Sequence, residues 1–306
     1  MSAITEYGIV GATRERLGSV GVWLGALMGV PAEVERPVAR RIEELGFGSL
    51  FVGERIGGKE AMAHQAVLLA ATDHIVVGTG IANVWSRHPA AMQGGSAVLG
   101  DAYPGRFVLG MGISHAPMVD TSGLTYEKPL AHMARYLDDM AASVSMGPVP
   151  EVPVPHLLAA LRPKMLELAR DRTDGAHPYF VPASHTPLAR AALGPDKLLV
   201  PEQAVVLATD PDTARRVARQ HMATYLRLPN YVNNLRHLGF TDDDLGDGGS
   251  DRLVDAIVAW GDESAIAARV ADHLDGGADH VLIQPLGDVD RALEQLVALA
   301  PALLAP

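Results

Sequence analysis

His115 closes the run GRFVLGMGISH, an apolar stretch interrupted by Gly110 and Gly112 and followed by Pro117. An imidazole ionises near neutrality, so a histidine beside a glycine-opened strand end suits proton transfer. The plainer alternatives are a structural histidine and glycines that allow close packing. Glu54–Arg55 follows a second apolar run, SLFVG. The carboxylate can accept hydrogen bonds, whereas the guanidinium stays charged and can clamp an anion but not shuttle a proton. In HIVVGTGIANVWSRHPA, Gly78 and Gly80 fall late in a third run. Glycine there predicts a bulge or a close backbone approach, as a flat ring would need, or else a kink at a barrel corner. In PYFVPASHTPLAR, Ser184, His185 and Thr186 precede a helical pattern with Arg190 one turn in. Such a turn caps a helix or holds an anion, and Arg190 tilts the choice toward a phosphate.

Other chemistries find less support. The chain has twelve histidines and no cysteine, so thiolate nucleophiles, disulfides and cysteine metal sites are excluded. No HExxH or HxH spacing occurs, and we expect no metal. No GxSxG elbow is present, and the GxG of Gly110 and Gly112 lacks the third glycine of a dinucleotide fingerprint. Lysines are confined to Lys59, Lys128, Lys164 and Lys197, so anion clamps fall mainly to arginine.

These residues need a scaffold that gathers strand ends. Eight β-rich runs alternate with helical patterns: Ser19–Trp23, Ser49–Gly53, His74–Asn83, Arg106–Ser114, Pro155–Leu161, His177–Pro182, Leu198–Ala208 and His280–Pro285. Their near-continuous apolar character predicts parallel strands buried on both faces. Val34, Val38 and Ile42 repeat at helical spacing before Gly46, as do Ile266, Val270 and Leu274 between Asp262 and Gly276–Gly277. Asp210–Pro211 opens another helix. Eight strands each followed by a helix predict an α/β fold, a closed (β/α)8 TIM barrel spanning residues 1–306 as one domain, with an open doubly wound sheet as the alternative. In such a barrel the active site lies at the C-terminal strand ends. The segment from about residue 227 to 250, between strands seven and eight, carries LRLPNYVNNLRHLGF and then DDDLGDGGS, and predicts a partly ordered lid.

The 306 residues, 48% of them hydrophobic, suffice for that core. A net charge of −11 argues against nucleic-acid or anionic-membrane partners. No apolar run is long enough for a membrane span, and MSAITEYGIV lacks the pattern of a signal peptide, so we expect a cytoplasmic protein.

Several segments together resemble the luciferase-like family, in particular its deazaflavin-dependent branch. They are IEELGFGSLFVGE, IVVGTGIANVWSRHPAAMQ, YPGRFVLGMGISH, HPYFVPASHTPLAR and LVDAIVAWGDESAIAARVADHLDGGADHVLIQ, in the family's own order over most of the chain. The resemblance implies a flavin or deazaflavin ring at the strand C-termini and a bulged third strand with a cis peptide at Gly80–Ile81. It implies cofactor contacts at Asn83, Ile113, Ser114 and Met118, and a cofactor phosphate held at Ala183, Ser184, His185, Thr186 and Pro187, with help from Arg190. It implies hydride transfer between coenzyme F420 and a small organic substrate, or, with FMN, a reduced-flavin monooxygenase; a cofactor-binding barrel without turnover is the third alternative. It also implies a homodimer. Two departures limit the transfer of catalytic roles. Glu54–Arg55 stands where the deazaflavin dehydrogenases carry an Asp-His pair, and His115 stands where the sugar-phosphate dehydrogenases carry a glutamate. The expected roles are then specific to this chain: His115 positions or protonates the substrate, Arg55 pairs with an anionic substrate or cofactor tail, and a lid carrying Tyr231 and Arg236 closes the site.

Overall fold

The apolar runs become strands because each can bury both faces, one inside the barrel and one under a helix. The computed structural model describes residues 3–120, 122–144 and 146–304. Its strands are β1 Val20–Trp23, β2 Ser49–Val52, β3 Val76–Thr79, β4 Ala82–Asn83, β5 Phe107–Gly112, β6 His156–Leu158, β7 Gly175–Ala176, β8 Leu198–Leu199, β9 Glu202–Leu207, β10 Val258–Gly261 and β11 Val281–Pro285. Every pairing between them is parallel. Their order is β10-β9-β11-β1-β2-β3-β5-β6-β7-β8, with β4 against β5. The run carrying β8 and β9 pairs with β7 on one side and β11 on the other, so the sheet returns on itself as the expected barrel.

Three differences from the expected strands have local causes. The run His177–Pro182 leaves the sheet after β7: Pro178 has no N–H to offer the ladder, and Phe180 sits at φ 58°. Pro201 splits Leu198–Ala208 into β8 and β9 for the same reason. β10 was not expected. Its four residues VAWG follow the helix Asp251–Ile257 directly and pair with β9, Val258 opposite Ala204.

The helix starts follow local chemistry. Asp210, Asp262 and Asp288 each accept the N–H of the residue three positions on, which satisfies one of the free donors of the first turn. The helix Ala32–Glu44 buries Val38 and Ile42 as the spacing predicts, but Val34 is exposed. Its buried face carries Glu35 instead, paired with Lys59 and with His64 at 2.7 Å.

The segment expected as a lid folds as a wall. It forms the helices Pro229–His237 and Asp242–Leu245. Leu228, Tyr231, Leu235 and Phe240 join a core with Phe180, Ala204, Met222, Leu253 and Val254. Among the described residues no helix is long and apolar enough to cross a membrane.

Candidate active site

At the C-terminal ends of the strands lies a cleft of about 690 Å³. Trp23, Glu54, Arg55, Gly80, Ile81, Asn83, Ile113, Ser114, His115 and Met118 line one part of it, and Arg162, Lys164, His177, Tyr179, Tyr225, Asn230, Tyr231 and His237 line the other.

The third-strand bulge is present. Gly78 pairs with Val108 and Ala82 with Met111, so four steps on one strand face three on the other. The extra residue falls at Gly80–Ile81, on the cleft wall. The glycines answer first to aromatic neighbours. A Cβ at Gly78 would overlap the Phe51 ring, and one at Gly80 would overlap Trp23 Nε1. Trp23 Nε1 instead donates to Gly80 O at 2.9 Å. Among the described residues no peptide bond is cis, so Gly80–Ile81 is trans, contrary to the expectation. The bulge and the tryptophan bond carry the turn without it.

Glu54 holds this bulge in place. Its Oε2 accepts the Asn83 N–H at 2.7 Å and an Arg87 N–H at 2.9 Å, its Oε1 takes the second arm of Arg87, and Ala61 N–H adds a contact at 3.2 Å. The pair is buried, with side chains 4% and 8% exposed. A carboxylate so fully engaged has a positioning role. Arg55, by contrast, is exposed and makes no side-chain hydrogen bond or ion pair among the described residues. Asn83 Oδ1 accepts Trp85 N–H at 3.0 Å, and Ile113 O accepts Trp85 Nε1–H at 2.7 Å, which joins β4 to the end of β5.

Ser114 sits at φ 58°, a left-handed conformation costly for a non-glycine residue, and it turns the chain so that His115 faces the cleft. His115 Nδ1 lies 2.9 Å from Asn230 Oδ1, and its ring centre is 5.2 Å from that of Tyr231. Burial lowers its pKa, opposed by the Asn230 bond. Deeper in, Tyr179 donates to Gln284 Oε1 at 2.9 Å and lies 2.7 Å from the Tyr225 hydroxyl. Burial pushes Tyr179 and Tyr231 well above the usual phenol range, so both stay neutral. His177 is fully buried, its Nδ1 donates to Val200 O at 2.7 Å, and its pKa falls to about 4 by desolvation. The inner wall is therefore aromatic and uncharged. Cations stand elsewhere on the lining: Arg55, Arg162 and Lys164 are exposed.

The expected phosphate turn is engaged elsewhere. His185 is 2% exposed, and its Nε2 donates to Leu161 O at 2.6 Å. Thr186 Oγ1 bonds His273 Nδ1 at 2.7 Å. Arg190 binds Gly277 O, Gly194 O and Lys197 O and pairs with Asp279 at 2.6 Å. Ser184 begins the helix without a side-chain cap bond, and neither it nor Ala183 lines the cleft. Thr186 and Arg190 thus lock the helix His185–Leu193 to the helix Glu263–Asp275 and the loop after it, a structural use that competes with phosphate binding. Arg236 likewise pairs with the exposed Asp242 at 2.8 Å and does not line the cleft.

Sequence reasoning missed His177, Tyr179, Tyr225, Asn230 and Lys164 as site residues. The aromatic and amide content of HPYFVP and LPNYVNN was the available signal; that the two segments meet depends on the barrel. Among the described residues no group of three or more His, Asp or Glu side chains could hold a metal.

Comparison with known proteins adds a family and a set of relatives. The profile of the luciferase-like monooxygenases matches residues 20–280. A 5,10-methylenetetrahydromethanopterin reductase of Methanolobus tindarius is 25% identical over 163 residues, 48% of this chain and 49% of that protein. The chain thus matches about half the length of that curated relative. Among solved structures, the coenzyme F420 dependent tetrahydromethanopterin reductase from Methanopyrus kandleri superposes with a TM-score of 0.76 at 16% identity, covering 94% of this chain and 99% of that one. The oxygenating constituent of 3,6-diketocamphane monooxygenase from Pseudomonas putida, in complex with FMN, gives 0.63 at 13% identity, covering 93% and 96%. At these identities the structural likeness speaks for the barrel.

Proposed function

The chain belongs to the luciferase-like monooxygenase family, and on that footing we propose that it is an oxidoreductase moving hydride between coenzyme F420 and a small organic substrate. The observation that carries the reading is the one-residue bulge at Gly80–Ile81, anchored by Glu54 and Trp23 and set on the same cleft as His115. Similarity to a coenzyme F420-dependent oxidoreductase of Mycobacterium tuberculosis, 25% identical over 53% of this chain and 55% of that protein, supports a deazaflavin over a flavin.

When bound, the deazaflavin supplies a carbon centre that gives or takes hydride. The residues of the chain fit such a ring. The Gly80–Ile81 backbone offers a flat support, with Asn83, Ile113, Ser114 and Met118 around it. His177 Nε2, buried and without a partner among the described residues, is an acceptor for a ring or ligand donor. The acidic tail would meet Arg55, Arg162 and Lys164, exposed cations of the lining. The walls, Tyr179, Tyr225 and Tyr231, exclude water and hold the substrate, and His115 handles its proton. A single domain, a homodimer and a cytoplasmic setting complete the proposal.

A reduced-FMN monooxygenase is the second reading, favoured by Glu54–Arg55 standing where deazaflavin dehydrogenases carry an Asp-His pair. Fluorescence titration of the purified protein with F420 and with FMN separates the two. We expect F420 to bind at micromolar concentration and FMN at least about tenfold more weakly, a gap of roughly 1.4 kcal/mol. Tighter FMN binding would favour the monooxygenase, and binding of neither would remove both.

A further inference from the structure

The proton on His115 can be placed from its partner. Asn230, on the helix Pro229–His237, presents Oδ1 to His115 Nδ1 at 2.9 Å. An amide oxygen only accepts, so Nδ1 carries the hydrogen. Burial keeps the ring neutral near pH 7. A neutral imidazole with Nδ1–H bears its lone pair on Nε2, and that atom has no partner among the described residues. His115 lines the cleft, so the site there presents an acceptor.

The neighbouring groups do not compete for this acceptor. Glu54 is engaged by Arg87 and the Asn83 N–H. Tyr179 gives its proton to Gln284, so the Tyr225 hydroxyl donates to Tyr179. Tyr231, packed on the imidazole, stays uncharged.

We infer that Asn230 is a positioning residue that fixes the Nδ1–H tautomer of His115, so that the site selects a substrate with a hydroxyl donor, an alcohol, and takes its proton on Nε2. This rests on the hydride-transfer reading. In the step, the O–H bond breaks and its proton passes to Nε2. The carbinol C–H bond breaks with its electron pair, hydride passes to the deazaflavin, and a carbonyl forms. The alcohol is oxidised and the deazaflavin reduced. A carbonyl substrate would set its oxygen lone pair against that of Nε2, and would bind well only to a protonated ring.

Two measurements test this. Long-range proton–nitrogen NMR of the 15N-labelled, cofactor-free protein at pH 7.5, assigned with His115→Gln, reads the tautomer directly. We expect Nδ1–H in the native chain, a shift toward Nε2–H in Asn230→Ala, and a raised His115 pKa in the near-isosteric Asn230→Asp. An Nε2–H tautomer in the native chain, or a tautomer indifferent to Asn230→Ala, would overturn the positioning role. With F420 loaded, kcat/KM across a panel of primary and secondary alcohols should fall as pH drops through the His115 pKa. In Asn230→Asp that limb should move to higher pH by the shift NMR reports. Turnover confined to substrates without a hydroxyl would overturn the substrate class. Failure of F420 to bind would instead remove the hydride reading and the alcohol step with it, while the NMR result on Asn230 would stand by itself.

Discussion

At the residue scale, the site is built on one buried carboxylate. Glu54 joins the loop after β2 to the bulge after β3 through Asn83 N–H, and to the helix Pro89–Ala102 through Arg87 just ahead of it. Glu54→Gln keeps one acceptor oxygen but leaves Arg87 with Asn83 O at 3.3 Å and, as its carboxylate partner, Glu60, which is 52% exposed. Removing one member of a buried pair leaves an uncompensated charge, so we expect a loss of about 3 kcal/mol in urea unfolding. Cofactor binding should weaken as well, because the bulge loses its anchor. Unchanged stability would mean that Arg87 finds equal solvation elsewhere. Arg55→Ala makes the contrasting case: with no side-chain hydrogen bond or ion pair among the described residues, it should leave stability within about 0.5 kcal/mol and weaken binding of an anionic cofactor tail in a salt-dependent manner. Unaltered binding would place the tail away from Arg55.

At the element scale, the segment after β9 behaves as wall rather than lid. Its polar composition concealed an amphipathic arrangement: Leu228, Tyr231 and Leu235 turn inward while Arg236 faces Asp242 and solvent. Leu235 is fully buried, and Leu235→Ala should cost about 2–5 kcal/mol by chemical denaturation. A loosely held lid would lose almost nothing. The same scale shows what the sequence could disclose. The barrel was legible because burial on both faces leaves continuous apolar runs, as in VGVW and SLFV. Strand limits near Pro178 and Pro201 were not, since they depend on which neighbour needs an N–H. The bulge was legible from Gly78 and Gly80, although their neighbours Phe51 and Trp23 lie far away in sequence. The roles of Thr186 and Arg190 were not legible, because His273 and Asp279, which claim them, come from a distant helix and the loop after it.

At the scale of the whole molecule, buried neutral histidines tie stability to pH. Desolvation lowers His177, His221 and His280 to about 4 and His273 to about 3. His280 bridges Ser49 and Gly18 O, and His273 bridges Thr186 and Gln203, so these rings are part of the barrel's polar stitching. Their folded pKa values lie below the unfolded value, so the unfolded chain binds more protons as pH falls through about 6.5. Stability is then lost between that point and pH about 4, on the order of 3 kcal/mol per histidine. Glu202 acts in the opposite sense. Burial raises it to about 8, so its cost grows as pH rises from the ordinary carboxylate range and eases on acidification. Four histidines outweigh one carboxyl, and the urea midpoint should fall steeply from pH 7 to pH 5. A flat profile would show that the rings are hydrated or already charged.

The central claim concerns where a ring sits, and a crystal structure of the protein with F420 bound tests it most directly. The account predicts the deazaflavin against the Gly80–Ile81 backbone, within the cleft lined by Trp23, Ile113 and His115, and its acidic tail toward Arg55, Arg162 and Lys164. A ring lodged elsewhere, or a phosphate seated on Ser184 and Thr186 with Arg190 released from Asp279, would contradict it.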